Sequence, residues 1–178
     1  MVLYLLQARS GEGEDSEVQA TDRSSIRVRS SVPSDGEAIL ALSDRLTIGM
    51  ALWRDRAACR RAVHGWVVAS LERSPETGAV FVAEDEAGEL AGFISVEAST
   101  HFSGEAEAYI GELVVDESWE GFGVGRMLVL QAEEWASMRG FRSLTLVTRS
   151  ANTAARHFYD RLGFLEEEVR LTKLLVEG

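Results

Sequence analysis

Three glycines, Gly121, Gly123 and Gly125, occupy alternate positions in the stretch "WEGFGVGRML". An apolar run precedes them and an amphipathic run follows, which predicts a turn between a strand and a helix. The first N–H groups of a helix have no partner within the helix, and with the helix dipole they favour an anion. Because glycines lack the Cβ atoms that would hold a phosphate away, the turn suits a phosphate or pyrophosphate. A glycine-rich turn without a ligand has the same pattern.

Two common phosphate-binding loops fit this stretch poorly. A P-loop needs Lys followed by Ser or Thr after its last glycine, whereas Arg126 and Met127 follow Gly125. A dinucleotide-binding turn follows the first strand of a βαβ unit, and an acidic residue ends the next strand. Here the turn comes after several predicted strands, and "SLTLVTRS" ends in no acid. The sequence excludes the first loop and disfavours the second.

The elements that must position the turn alternate along the chain in an α/β order. Apolar periodicity and turn residues predict the following series. It comprises a strand at 25–31, helices after Ser34 or Asp35 and at about 55–71, strands at 79–85, 90–99 and 107–116, a helix at about 124–138, a strand at 143–148, a helix at 152–162 and a last strand at 167–176. The first half of this series predicts an antiparallel sheet.

Length, charge and cysteine usage limit the possible functions. The 178 residues suffice for one domain, which we expect at 25–178, after a small, polar and acidic stretch that predicts a flexible leader at 1–24. The net charge of −11 argues against nucleic acid; it is compatible with a cationic substrate, or simply aids solubility. The single cysteine, Cys59, and the absence of a signal-peptide or membrane-spanning pattern favour the cytoplasm. The scattered histidines predict no metal site.

Two stretches together resemble the signatures of the GCN5-related N-acetyltransferases. "ELVVDESWEGFGVGRML", residues 112–128, resembles their acetyl-CoA-binding motif, and "NTAARHFYDRLGF", residues 152–164, resembles their second signature. In the second stretch Asn152, Ala155, Tyr159 and Gly163-Phe164 stand at the family's spacing. The resemblance extends from residue 26 to about 175. It implies a mixed, mostly antiparallel central sheet flanked by helices, forming a single N-acetyltransferase domain.

The resemblance implies acetyl-CoA as cosubstrate and no metal. The pantetheine arm would lie beside the strand at Leu113, Val114 and Val115, with the thioester carbonyl polarised by the N–H of Leu113 or Val114. The pyrophosphate would be held by Phe122, Gly123, Val124, Gly125, Arg126 and Met127. Asn152 and Ala155 would contact the cofactor arm, although Asn152 also stands where its helix needs an N-cap.

Two residues of the glycine turn depart from the family's pattern. Glu120 stands where the family usually has Arg or Gln, and Phe122 where a basic residue is often found. Positive charge near the pyrophosphate is then left mainly to Arg126, so binding must depend on backbone donors. These departures keep open a non-catalytic acyl-CoA-binding or regulatory module as the alternative function. A nucleotide-binding protein that uses the glycine turn alone is disfavoured by the second signature.

The implied reaction is acyl transfer from a thioester to an amine, which needs a base, oxyanion donors and an acid. Glu112 lies inside an apolar strand, where burial disfavours the charged carboxylate, as suits a general base acting through water. The family often has Glu at this position; a hydrogen-bonded structural Glu is the alternative. By resemblance Tyr159 is the acid that protonates the leaving sulfur, whereas a core tyrosine is the alternative.

The amine acceptor follows only in outline from the sequence. We expect a cationic small-molecule or peptide amine, no nucleic-acid or membrane partner and, since dimers are common in the family, a homodimer. Trp53 lies where the family's variable first-helix region forms a substrate wall. Trp66 lies on the apolar face of the second helix together with Cys59, Val63, Val67 and Leu71, so we expect it in the core.

Overall fold

The structure, a computed structural model, describes residues 25–175, so the leader predicted at 1–24 lies outside the described residues. Its helices and strands follow the order expected from the sequence as far as α4. They are β1 (Arg27–Ser30), α1 (Gly36–Leu42), α2 (Arg56–Leu71), β2 (Gly78–Glu84), β3 (Leu90–Thr100), β4 (Ala106–Val115), α3 (Val124–Met138), β5 (Leu144–Leu146) and α4 (Thr153–Arg161). Short 3₁₀ turns lie at Pro33–Asp35, Ser43–Thr47 and Glu117–Trp119.

The strands form one sheet in the order β1-β2-β3-β4-β5. Neighbouring strands are antiparallel except β4 and β5, which are parallel. Helices α1 and α2 cover one face, where Val67 packs with Phe93 and Val114. Helix α3 covers the other face, where Leu128 packs with Ile94 and Ile110. The predicted fold class, a mixed and mostly antiparallel sheet flanked by helices, is confirmed.

A β-bulge in β4 opens the sheet next to the glycine turn. Val96 lies opposite Ile110 and Ile94 opposite Leu113, so Ser95 alone faces both Gly111 and Glu112. A Cβ on Gly111 would lie 2.8 Å from the Ser95 hydroxyl oxygen, so a glycine is needed at this bulge. The pairing of β4 with β5 ends at Ile110 and Leu146. Beyond this point β4 has a free edge, because β5 no longer runs beside it.

Helix α3 begins and ends at the residues that the sequence predicts. Gly123 precedes it with φ +82°, and Gly140 follows it with φ +79°, both in the left-handed region that favours glycine. Its buried residues include Leu128, Ala132 and Trp135, the predicted apolar stripe. The sequence thus defines α3 by local signals at both ends and along one face.

Asp35 precedes α1 as predicted but does not cap it. Its Oδ2 accepts hydrogen bonds from the Val32 N–H at 2.8 Å and from Arg29 Nη1 at 2.7 Å. Arg29 also bonds to Glu84 on β2, at 2.8 Å from Nε to Oε2. The Arg29 guanidinium holds the pKa values of both carboxyl groups below their usual range. Asp35 is buried, and its carboxylate joins the start of α1 to the sheet instead of capping the helix.

The prediction that Trp66 lies in the core is wrong. Its side chain is 54% exposed, whereas Val63 and Val67 are buried at 1% each. The face of α2 that meets the sheet includes Ser70, whose hydroxyl donates to Glu112 on β4. Since the buried stripe turns toward Ser70, the bulky Trp66 lies at its border. The face that α2 turns to the sheet therefore includes a polar contact, which the hydrophobic pattern of the helix does not reveal.

The predicted last strand at 167–176 is also wrong for the residues that the structure describes. No strand is present from 165 to 175, and Leu165, Val169 and Leu171 are 91%, 76% and 89% exposed. Alternating apolar residues produce a strand only where a partner edge supplies hydrogen bonds. The adjacent edge strand, β5, has three residues and pairs with β4. Instead, Glu166 of this segment forms an ion pair with Arg156, and Glu167 Oε1 lies 3.5 Å from His101 Nε2.

Candidate active site

The glycine turn borders open space on the side from which a ligand would approach. Gly121 and Gly123 have φ values of +83° and +82°, and a Cβ on either would meet nothing within 4 Å. The conformation explains the need for glycine at both positions, because L side chains rarely adopt it. The open space above the turn leaves its backbone accessible.

The start of α3 presents free N–H groups at this turn. Met127 N donates to Gly123 O at 3.1 Å, which is the first bond of the helical pattern. By helix geometry the N–H groups of Val124, Gly125 and Arg126 precede that bond and lack an acceptor within the helix. The Val124 side chain is buried, so only its backbone can reach a ligand, whereas the Arg126 side chain is exposed. This combination of dipole, donors and cation suits an anion.

Gly125 serves packing as well as the turn. A Cβ at this position would lie 3.2 Å from Phe158 Cζ and 3.5 Å from Val115 Cγ2. The missing side chain therefore lets α3 lie close to α4, the helix that carries Tyr159. The family resemblance gives Gly125 a place at the pyrophosphate, whereas its contacts with Phe158 and Val115 give it a packing role.

We predict that Gly123→Val abolishes measurable CoA binding while the protein still folds. The substitution places a branched side chain over the N–H groups at the start of α3, and its positive φ costs about 1–3 kcal/mol. Gly140→Val is the matched control, since Gly140 also has a positive φ and open space around its Cβ but lies at the other end of the helix. Calorimetric titration with CoA and thermal unfolding of both variants would measure the two effects. Equal CoA affinities in both variants would contradict the phosphate assignment.

The free edge of β4 has a defined set of outward backbone groups. Asp116 N donates to Ala91 O at 2.8 Å, and Glu112 N donates to Ser95 Oγ at 2.9 Å, so both N–H groups point toward β3. Because N–H directions alternate along a strand, that of Val114 also points toward β3. Those of Leu113 and Val115 then point toward the gap left by β5. Of the two predicted oxyanion donors, the geometry favours Leu113 over Val114.

Glu112 is buried beneath α2, and one of its carboxylate oxygens accepts two hydrogen bonds. Its side chain is 4% exposed, and its Oε2 accepts hydrogen bonds from the hydroxyls of Ser70, at 2.9 Å, and Ser95. The Ser95 hydroxyl also accepts the Glu112 N–H. A buried carboxylate with two hydroxyl donors is held in one orientation. This arrangement is compatible with both roles predicted for Glu112, a structural carboxylate and a general base.

Tyr159 lies on the opposite face of the sheet from Glu112. Its ring contacts Phe158 and Phe164 edge to face, with centroids 5.1 and 5.4 Å apart, in the cluster beneath α3. Burial raises the pKa of Tyr159 to about 12. The phenol is therefore protonated at neutral pH and can donate. Glu112 and Tyr159 flank β4 from its two sides, where a base and an acid would act on one group held at its edge.

The residues from the turn after α1 through α4 match a family of known proteins. The sequence model of the acetyltransferase (GNAT) family matches residues 43–164, a span that includes both signature stretches. The chain belongs to the acetyltransferase (GNAT) family.

Individual GNAT relatives agree with this assignment. An uncharacterized N-acetyltransferase of Methanocaldococcus jannaschii is 35% identical over 106 residues, which are 58% of this chain and 46% of the relative. The streptothricin acetyltransferase of Streptomyces lavendulae is 34% identical over 84 residues, 47% of this chain and 43% of the relative. The chain thus spans less than half the length of either relative.

A solved structure has a similar fold. The complex of AAC(6')-Iy with the bisubstrate analogue CoA-S-monomethyl-acetylneamine superposes with a TM-score of 0.66 at 20% identity. The superposition covers 86% of this chain and all of that chain. At this identity the likeness supports the fold and says nothing about the acceptor.

Asn152 is the N-cap of α4 in this GNAT chain. Its Oδ1 accepts the Ala155 N–H at 3.2 Å, so the capping role given as an alternative is present. The same bond occupies the Ala155 N–H, and the helical pattern of α4 uses its carbonyl, so the Ala155 side chain is what remains for a ligand. Gly49 lies close to Asn152, since a Cβ on Gly49 would be 3.3 Å from Asn152 Cβ. The segment between α1 and α2 therefore reaches the start of α4.

Residues that the sequence does not single out also contribute to the site. Tyr109 lies on the same face of β4 as Glu112, because the extra residue of the bulge shifts the side-chain alternation by one. Burial raises the pKa of Tyr109, and the charges of Glu112 and Glu107 add to the increase. Ser70 and Ser95 fix Glu112 from two other elements. An alternation of polar residues in "EAYIGEL" is the only local signal for Tyr109; none exists for the serines.

Metal-ligand clusters and membrane-spanning helices are both absent from residues 25–175. Within that range no group of three or more His, Cys, Asp or Glu residues has the arrangement of a metal site. In the same range no helix has both the length and the apolar character needed to cross a bilayer.

Proposed function

We propose that this chain is an acetyl-CoA-dependent N-acetyltransferase that acylates a primary amine by direct attack in a ternary complex. The observation that carries the proposal is the free edge of β4, which lies between the glycine turn and α4 and has Glu112 on one face and Tyr159 on the other. Bound acetyl-CoA would supply the acyl group as a thioester. GNAT membership and the open turn support this cosubstrate.

Backbone N–H groups would make most of the polar contacts with acetyl-CoA. The N–H groups of Val124, Gly125 and Arg126 and the Arg126 side chain suit its pyrophosphate, between the flanking side chains of Phe122 and Met127. The outward backbone groups of Leu113 and Val115 suit the amides of the pantetheine arm, in the manner of an added strand. The N–H of Leu113 would polarise the thioester carbonyl and stabilise the oxyanion.

Glu112 would act as the general base through a water molecule. A primary ammonium has a pKa near 10.4, so it arrives protonated at neutral pH and must lose a proton before attack. The carboxylate of Glu112 attracts this cation, and the net charge of −11 adds a general attraction. Two hydroxyl donors on Oε2 leave Oε1 as the oxygen available to the proton relay.

Tyr159 would protonate the departing thiolate. Its pKa of about 12 keeps the phenol protonated throughout the physiological range. Contacts with Phe158 and Phe164 fix the ring, so the hydroxyl position is set before the reaction. A neutral, positioned donor on the side of β4 opposite the base lets the proton enter where the sulfur leaves.

The acceptor would enter along the segment between α1 and α2. Trp53 is 56% exposed and Ile48 is 53% exposed, so this segment offers apolar surface near the start of α4. Among the relatives, one is named for streptothricin and one was solved with an analogue containing acetylneamine. We propose a cationic small-molecule or peptide amine as the acceptor here, on the acidity of the chain and of Glu112.

The alternative of a non-catalytic acyl-CoA-binding module depends on Glu120 and Phe122 in the turn. In the structure Glu120 forms an ion pair with Arg45, so its negative charge is compensated. The carboxyl group of Glu112 and the phenol of Tyr159 lie on the two sides of β4. These contacts favour the enzyme over the binding module, and release of free CoA thiol in the presence of amines distinguishes the two.

Acetyl-CoA and CoA should raise the melting temperature of the protein, whereas ATP should raise it much less. A ligand that binds only the folded state stabilises it by about 2.7 kcal/mol at 100 times its dissociation constant. ATP shares the adenine and phosphates but lacks the pantetheine arm that would pair with β4. A thermal-shift series with the three ligands measures this difference. No shift with either CoA species at millimolar concentration would overturn the proposed function.

A further inference from the structure

Acidic residues crowd the link between β4 and the glycine turn. Asp116, Glu117 and Glu120 fall within the five residues that precede Gly121. If acetyl-CoA binds as proposed, its pyrophosphate lies at the N–H groups just beyond this link. Carboxylates close to the pyrophosphate would repel it unless a cation compensates their charge.

Arg45 is the cation that meets these acids. Its Nη2 forms an ion pair with Glu120 Oε1, and its Nη1 lies 3.6 Å from Glu117 Oε2. Hydrogen bonds from Ser118 hold the pKa of Asp116 below its usual range, and the charge of Arg45 adds to this effect. Within residues 25–175 the ion pairs of Glu117 and Glu120 are with Arg45 alone. The Arg45 side chain is 24% exposed, whereas those of Glu120 and Glu117 are 60% and 88% exposed, so water reaches these pairs mainly from the carboxylate side.

The backbone around Arg45 is fixed from two directions. Arg45 lies in the 3₁₀ turn Ser43–Thr47, where the Ser43 hydroxyl donates to Leu40 O of α1 at 2.7 Å. From the loop between β5 and α4, Arg149 Nη1 donates to Leu46 O at 2.9 Å. The Arg45 guanidinium therefore reaches the link before the glycine turn from a separate segment whose backbone is held in place.

We propose that Arg45 is a positioning residue of the cofactor site, which neutralises Glu120 and its acidic neighbours so that the turn accepts a pyrophosphate. This inference rests on the proposed use of acetyl-CoA. Arg45 brings a positive charge from another segment to position 120, where the family resemblance leads one to expect Arg or Gln. The same turn leads into the segment that carries Trp53. The Arg45 contact therefore connects the glycine turn to the segment along which the acceptor is proposed to enter.

Arg45→Met should weaken acetyl-CoA binding by about tenfold, because the carboxylates that Arg45 compensates would then repel the pyrophosphate. The loss should shrink as salt is raised. Arg45→Lys keeps the charge and should retain most of the affinity. Arg60→Met is the matched control: Arg60 Nε lies 3.5 Å from Asp44 in the same turn, but its side chain is 65% exposed and pairs with none of the three acids.

A second set of variants tests the mechanism without relying on the stability of Arg45→Met. Glu117→Gln with Glu120→Gln should bind acetyl-CoA as tightly as the wild type or more tightly. Adding Glu120→Gln to Arg45→Met should recover most of the lost affinity, a non-additivity expected of two groups in direct contact. A double variant that binds as weakly as Arg45→Met would overturn the proposal, as would carboxamide variants that bind more weakly than the wild type.

Calorimetric titration with acetyl-CoA at two salt concentrations tests the proposed function and the role of Arg45 separately. If the wild type fails to bind acetyl-CoA, the proposed function fails and the inference with it. If the wild type binds and Arg45→Met binds equally well, only the role of Arg45 is overturned. Unfolding curves of each variant establish that affinity is compared between folded proteins.

Discussion

Replacing Tyr159 with Phe should lower the turnover number by ~10²-fold or more while leaving acetyl-CoA binding nearly unchanged. The substitution removes one hydroxyl and almost no volume, so the contacts with Phe158 and Phe164 persist. If that hydroxyl protonates the thiolate, the loss falls on the chemical step. Steady-state kinetics on an acceptor found by screening amines for CoA thiol release, together with calorimetric titration of acetyl-CoA, gives both numbers.

Phe164→Leu is the control for this experiment. It removes the ring that lies 5.4 Å from Tyr159 but keeps the hydroxyl, so it should lower the free energy of unfolding with a much smaller effect on turnover. If Tyr159→Phe keeps wild-type turnover, Tyr159 is a core tyrosine and another donor must protonate the sulfur. If both variants lose turnover equally, packing rather than proton transfer explains the effect.

Glu112→Gln should lower turnover at neutral pH, and the loss should shrink as pH rises. The carboxamide keeps the shape and an oxygen that accepts from Ser70 and Ser95, but it cannot take up a proton. As pH approaches the pKa of the free amine, near 10.4, more acceptor arrives neutral and the need for a base falls. The apparent affinity for the cationic amine should also fall, with little change for acetyl-CoA. A pH–rate profile of the variant beside the wild type measures the trend.

Glu107→Gln is the matched control for Glu112→Gln. Glu107 is also a buried carboxylate on the same face of β4, 8% exposed, and it accepts the Thr145 hydroxyl at 2.8 Å. Its replacement should change stability without a pH-dependent change in turnover. A parallel loss at every pH in Glu112→Gln would remove Glu112 as the base and leave it a structural acid.

Local patterns in the sequence predicted much of this protein. Residues 124–138 form a helix at the predicted bounds because Gly123, Gly140 and the apolar stripe are signals within one element. The order of strands and helices up to α4, the mixed sheet and the GNAT family followed from such signals and from the two signature stretches. The prediction that the turn suits a phosphate also rests on local chemistry, since glycines without a Cβ at the start of a helix need no distant partner.

Contacts between distant segments were decided only by the tertiary structure. The bulge at Gly111, which directs the N–H of Leu113 to the free edge, depends on the pairing of β4 with β3. Arg45 and Glu120 are 75 residues apart, and no spacing rule connects them. Trp66 lies outside the core because α2 turns Ser70 toward Glu112, and residues 165–175 form no strand because alternation needs a partner edge. A sequence pattern fixes what a segment can bury or bind, whereas its partner is set by the packing of the whole chain.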